Sequence, residues 1–318
     1  MPPGSASAAT TRFPSSAARH RAALLAVLVA AVVGCGGDGP APEPTTPAPE
    51  PATPAPSSGA DAFIGSLAAD PGDGTLLLGT GLGLFRVDAG AGQPRRVVGE
   101  LRAPAGAGSV SSNLVVRYAG PGELLASGHP EGAGALPEDL GLMRSADAGA
   151  TWEPVSELGA SDFHLLQARG DRVVAVRAEE TDVLVSRDGG RRFEPRTPPA
   201  MPLDVAFDPG DPARMVVATA EGVFSSSDEG RSWRPQDPTA AGQLAWLAPD
   251  ALYRADPGGA IKVSADGGAS WEERGTVGLE VNELAADGDD VLLASVAGGE
   301  VRRSRDGGAT WTSYVKLG

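Results

Sequence analysis

Five near-copies of one short segment constrain this chain more than any other feature. They read "SADAGATW" from Ser145, "SRDGGRRF" from Ser186, "SSDEGRSW" from Ser226, "SADGGASW" from Ser264 and "SRDGGATW" from Ser304. Aligned on Asp147, Asp188, Asp228, Asp266 and Asp306, they recur at steps of 41, 40, 38 and 40 residues. Between them lie short runs rich in Val and Leu, broken by Gly, Pro and Asp. "LDVAFD" (Leu203 to Asp208), "MVVATA" and "GVFSSS" are three such runs ahead of one copy. Strand-like runs at a fixed period near 40 predict the four-stranded blades of a β-propeller.

The repeated segment falls between the third and fourth strands of each blade. There Asp147, Asp188, Asp228, Asp266 and Asp306 can accept hydrogen bonds from turn amides, helped by the hydroxyls of Ser145, Ser186, Ser226, Ser264 and Ser304. Gly149, Gly190, Gly230, Gly268 and Gly308 supply a backbone with positive φ. The closing aromatics Trp152, Phe193, Trp233, Trp271 and Trp311 are expected to tuck between neighbouring sheets. A chain with five tryptophans places four of them in this one slot, so the aspartates are read as turn-holders, not as catalysts.

The segment resembles the Asp-box, or BNR, repeat of sialidases, other glycoside hydrolases, sortilin-type receptors and photosystem assembly factors. The resemblance implies an all-β, six-bladed propeller over residues 62–318. Blades are expected at about 62–100, 110–155, 160–197, 203–236, 243–275 and 280–316, with "RVDAG" (Arg86 to Gly90) a degenerate first copy. The second blade carries an insertion, Gly128 to Gly141.

Ahead of the repeats, three arginines precede a twelve-residue apolar run, Ala22 to Val33, that ends in "VVGC" at Cys35. The run is too short to cross a bilayer and suits the core of a signal peptide. Its end resembles the lipobox of bacterial lipoproteins. That resemblance implies a signal peptide over 1–34, cleavage before Cys35, lipidation of Cys35, and a membrane partner reached through the lipid anchor at the cell envelope. Residues 35–61 are Pro-rich with nothing larger and apolar to bury, and read as a disordered tether. The net charge is −15, and losing the three leader arginines makes it −18. Such a chain is repelled by nucleic acid and anionic headgroups. One cysteine excludes an intrachain disulfide framework.

Ligands of related propellers bind opposite the repeated turns, where strands two and three are joined. That face draws His129, Glu131, Glu138 and Asp139 from the insertion, and Glu179, Glu180, Asp182, Glu221 and Asp256 from other links. Innermost strands add His164, Asp204 and Glu283. The candidate ligand face is His129, Glu131, His164, Glu179, Glu180, Asp182 and Glu221, with a protein or glycan as its ligand. The histidine spacing carries no metal signature, and no metal or cofactor is assigned.

Resemblance to sialidases would imply a Tyr nucleophile, acidic helpers and three arginines around a sugar carboxylate. The stretch matching the first arginine motif, "DAFIGSLAAD", has no Arg. Of three tyrosines, Tyr314 follows the last repeat on an outer strand, and Tyr118 adjoins Arg117, so only one of that pair can point inward. The expectation is a non-catalytic binding or assembly module. The competing one is a BNR-type glycoside hydrolase using carboxylates of the loop face.

Overall fold

The computed structural model describes residues 63–90, 93–104, 106–110, 112–132, 134–178, 180–239, 242–288 and 290–317. The expected signal peptide (1–34) and tether (35–61), with Cys35, and Glu179 of the candidate ligand face lie outside the described residues.

Each blade is one contiguous stretch of chain. Blade one is β1 (Ile64–Ala69), β2 (Leu76–Thr80), β3 (Gly83–Val87) and β4 (Arg95–Val97). A hairpin follows, β5 (Gly99–Ala103) and β6 (Gly106–Val110). Blade two is β7 (Val115–Gly120), β8 (Glu123–Ser127), β9 (Leu142–Ser145) and β10 (Thr151–Ser156). Blade three is β11 (Phe163–Arg169), β12 (Arg172–Arg177), β13 (Val183–Ser186) and β14 (Glu194–Arg196). Blade four is β15 (Pro202–Phe207), β16 (Met215–Thr219), β17 (Gly222–Ser226) and β18 (Arg234–Asp237). Blade five is β19 (Gln243–Ala248), β20 (Ala251–Ala255), β21 (Ala260–Ser264) and β22 (Glu272–Thr276). Blade six is β23 (Val281–Ala286), β24 (Leu292–Val296), β25 (Glu300–Ser304) and β26 (Thr312–Lys316). The protein is a six-bladed, all-β propeller, antiparallel within each blade.

The apolar runs explain the layering. β2, β16 and β24 are buried along their whole length, because blades cover both of their faces, and they show no polar alternation. The fourth strands are outer edges, and β14 and β18 are polar and carry Pro195 and Pro235, residues an edge tolerates because its outward amides are unpaired. Innermost strands touch in cyclic order, and β23 returns to β1. Among the described residues, ring closure uses no shared strand. Leu67, Leu76 and Leu78 of blade one pack with Leu293 and Val301 of blade six, and Ser295 Oγ donates to the Ile64 carbonyl at 3.0 Å.

The five Ser–Asp–Gly turns have one geometry. The serine hydroxyl donates to the aspartate two residues on, at 2.8–2.9 Å. It also accepts the amide of the following glycine four residues on, at 2.7–3.0 Å. The aspartate then accepts the amide just before the closing aromatic, at 2.8–2.9 Å. In four turns that position is Thr151, Ser232, Ser270 or Thr310, and its hydroxyl adds a bond at 2.6–2.7 Å. The glycine is needed for space as well as for φ. A Cβ at Gly190 (φ 82°) would lie 2.0 Å from Leu142 of the preceding blade.

These bonds favour ionised aspartate. Hydrogen bonds from Ser232 and Thr310 hold Asp228 and Asp306 down to about 2. Their stabilising effect is complete above the unfolded carboxylate range near pH 4 and is lost as pH falls toward 2. Asp228→Asn/Asp306→Asn is expected to flatten the acid limb of a melting-temperature profile between pH 4 and 2. An unchanged limb would show that these turns do not set it.

The second blade departs from the sequence expectation. Residues 99–110, which span the gap between the expected blades at 62–100 and 110–155, form the β5–β6 hairpin, and β5 pairs in parallel with β10 through Thr151 and Trp152. The sheet therefore has six strands. The physical reason is close approach. A Cβ at Gly99 would sit 2.5 Å from Trp152 Nε1, so glycine lets the hairpin cover that indole. Trp152 is fully buried as a result, while Phe193, Trp233, Trp271 and Trp311 are only partly buried. The insertion is also packed down. Its Leu136 and Leu140 join the core of Leu101, Val110 and Trp152, and Glu131 N–H donates to the Ser109 carbonyl at 2.8 Å.

Candidate functional site

The ring has two faces. The turn face holds the one-to-two links and the Ser–Asp–Gly turns. The loop face holds the two-to-three links and the crossings between blades. On the axis, a cavity of about 480 Å³ opens at the turn face. Leu67, Ala69, Phe207, Ala245 and Ala286 are among its apolar walls, Pro71, Pro121 and Pro209 lie at its mouth, and Arg117, Gln167 and Arg169 are polar residues of its lining.

Below it the channel is plugged by a network drawing one residue from every blade. Arg117 of blade two reaches Glu283 of blade six with Nη2 and Ser66 Oγ of blade one with Nη1 at 3.1 Å. Its Nε donates to Gln167 Oε1 of blade three at 3.4 Å. Asp204 of blade four accepts the amide of Leu244 in blade five at 2.8 Å and that of Val205 at 2.7 Å. Asp204 and Glu283 are 2% and 7% exposed. Burial pushes both carboxyls up, and the Arg117 guanidinium draws them back only in part. Two carboxylates share one guanidinium, so full ionisation would leave a buried negative charge uncompensated. Tyr118, the neighbour of Arg117, turns the other way and packs with Ala68, Leu77 and Leu124.

The candidate ligand-face residues do not converge. Glu131 pairs with Arg96 of blade one at 2.9 Å. Glu180 pairs with Arg177, which also binds Glu157. Asp182 accepts the Thr197 hydroxyl at 2.7 Å, and Glu221 points to solvent on its own link. His129 and His164 do come together, on a residue the sequence reading passed over. Asp162 Oδ2 lies 3.3 Å from His129 Nε2 and 2.7 Å from His164 Nε2. His129 Nδ1 meets the Glu138 carbonyl at 2.9 Å. Partial burial opposes its charge, but that carbonyl and the Asp162 and Asp139 carboxylates hold its pKa above the usual histidine value. Among the described residues, no group of three or more His, Cys, Asp or Glu is arranged to hold a metal ion.

The sequence reading raised Asp204 and Glu283 separately and missed Ser66 and Gln167. Their signal was a polar residue in an otherwise apolar innermost strand, "FIGSLAAD" and "HLLQAR".

No protein-family model matches the chain, and no curated protein matches it. Solved structures do. YCF48 from Cyanidioschyzon merolae is 15% identical, over 82% of this chain and 86% of its own, with a TM-score of 0.47. An ancestral GH74 enzyme is 14% identical over 78% of this chain and 37% of its own, with a TM-score of 0.51. The WD40 repeats of RRP9 are 12% identical over 74% and 88%, with a TM-score of 0.51. The chain spans less than half of the GH74 proteins it resembles, 46% of a Xanthomonas campestris xyloglucanase and 37% of the ancestral enzyme. Fold and site define a class, the β-propeller with a plugged axis. At these identities the likeness shows the fold alone.

Proposed function

We propose that this is an exported, lipid-anchored propeller of the Asp-box type, acting as a non-catalytic binding or assembly module at the cell envelope. One observation carries the non-catalytic part. Among the described residues, the channel carboxylates Asp204 and Glu283 lie beneath the cavity, bound to Arg117 and to backbone amides, and the cavity itself is lined by neither. Glycoside hydrolysis by a carboxylate pair needs the two carboxyls facing the sugar from opposite sides, roughly 5–10 Å apart. The repeated aspartates are committed to their turns.

The second reading, a BNR-type glycoside hydrolase, draws on the upward shift of Glu283, the property a general acid needs. A panel of aryl-sialosides and aryl-glycosides separates the two. The expected result is no turnover above buffer. Enzyme-like rates would overturn the binding-module reading, and survival of those rates in Glu179→Gln/Glu180→Gln/Glu221→Gln would remove these carboxylates from the site.

The anchor is tested separately. Cys35→Ser is expected to abolish labelling by palmitate analogues in cells. Equal labelling of the variant would end the lipoprotein reading.

A further inference from the structure

The exposed large apolar residues are distributed unevenly. Phe63, Leu82, Val98, Met201, Leu203 and Leu279 are 39–61% exposed. Phe63 and Met201 lead into the innermost strands β1 and β15, and Leu203 is the second residue of β15. Leu279 sits in the crossing before β23, Leu82 joins β2 to β3, and Val98 follows β4. Five of the six therefore lie on the loop face, while Val98 adjoins Gly99 and Glu100, which pack against the Ser–Asp–Gly turn of blade two. Single exposed apolar side chains are ordinary, but Phe63, Leu82, Met201, Leu203 and Leu279 all stand on the face opposite the five tied turns, which makes that face the candidate for an apolar contact.

The charges of that face say what covers it. Arg96, Arg177, Arg254 and Arg302 are each already bound to a carboxylate, and Lys316 lies at the outer edge of the ring, at the end of β26. Glu138, Glu221 and Glu280 stand exposed on loop-face links, and none of them pairs with a cation among the described residues. The face offers negative charge without matching cations. A second copy of a chain of net charge −15 is disfavoured there, as are anionic lipid and nucleic acid.

We infer that the loop face docks a basic polypeptide segment bearing apolar side chains, its lysines or arginines meeting Glu138, Glu221 and Glu280 and its apolar residues covering Phe63, Leu82, Met201 and Leu279. This deepens the binding-module reading and rests on it. The central cavity on the opposite face plays no part in it.

The test uses the full chain and a labelled Lys–Leu amphipathic peptide, beside its Glu–Leu and Lys–Ser analogues. Binding is read by fluorescence anisotropy and located by amide exchange. The Lys–Leu peptide is expected to bind, to weaken with added salt, and to protect amides around Leu82, Met201 and Leu279. Leu82→Ser/Met201→Ser/Leu279→Ser should weaken it at least tenfold, with an unchanged melting temperature. Glu221→Gln/Glu280→Gln should weaken it several-fold and reduce the salt dependence. Equal binding of either analogue, protection on the turn face, full affinity in the triple variant, or binding to neutral phosphatidylcholine vesicles as tight as to the peptide would each overturn the inference. These outcomes are independent of the glycoside panel, so a hydrolase with a peptide-binding loop face and an inert propeller without one are told apart.

Discussion

Arg117→Met is expected to destabilise the propeller by about 3–5 kcal/mol at pH 7.5, the cost of leaving buried carboxylates without their cation. The side chain reaches Glu283, Ser66 and Gln167 across the axis, and among the described residues no other cation is bonded to Glu283 or Asp204. The loss depends on pH. The folded pKa of Glu283 is raised to about 7, so the folded state holds more protons than the unfolded one between the ordinary carboxylate range and neutrality. Stability falls as pH rises through that window, and the fall steepens once the guanidinium is gone. Urea unfolding at pH 4.5 and 7.5 checks this. The variant should lose far less at pH 4.5, and Arg117→Met/Glu283→Gln should recover part of the loss at pH 7.5. Equal losses at both pH values would mean that Arg117 acts through packing and not through charge.

Trp152→Ala should cost a similar ~3–5 kcal/mol, the range for truncating a large buried aromatic. Trp311→Ala, at the same position of the repeat, should cost about half as much, because that indole is only partly buried. The difference belongs to the β5–β6 hairpin, which covers Trp152 and pairs with its strand. Thermal unfolding of the two variants gives the comparison. Equal losses would show that the hairpin contributes nothing to the burial of Trp152.

What was legible in the sequence follows from what repeats. The Ser–Asp–Gly turns recur five times with the same serine and aspartate bonds, so their spacing gives five blades and the order of strands in each, and the sixth follows from the degenerate "RVDAG" and the length left ahead of the first full copy. The hairpin occurs once. Its strands, "GELRA" and "GAGSV", are short, glycine-rich and weakly apolar, and they are held by a parallel pairing to a strand about fifty residues on. No local pattern encodes such a contact. The plug was hidden for a related reason. Ser66, Arg117, Gln167, Asp204 and Glu283 come from five different blades, and each is an unremarkable polar residue until the ring brings them to one axis. The insertion is glycine- and alanine-rich, and nothing in its own sequence says where it lies. Two leucines, Leu136 and Leu140, bury it against the hairpin.

Because no strand is exchanged between the first and last blades among the described residues, each four-stranded blade can form from one stretch of chain, and the contacts of longest range, the seam and the Arg117–Glu283 bond across the axis, form when the ring closes. The bond from Ser295 to Ile64 spans 231 residues. The entropy of bringing such remote points together grows slowly with length and is met once, when the circle shuts. Folding of such a ring is expected to be local and rapid within each blade and to wait on that single encounter, so its kinetics should be governed by the seam and not by the number of blades.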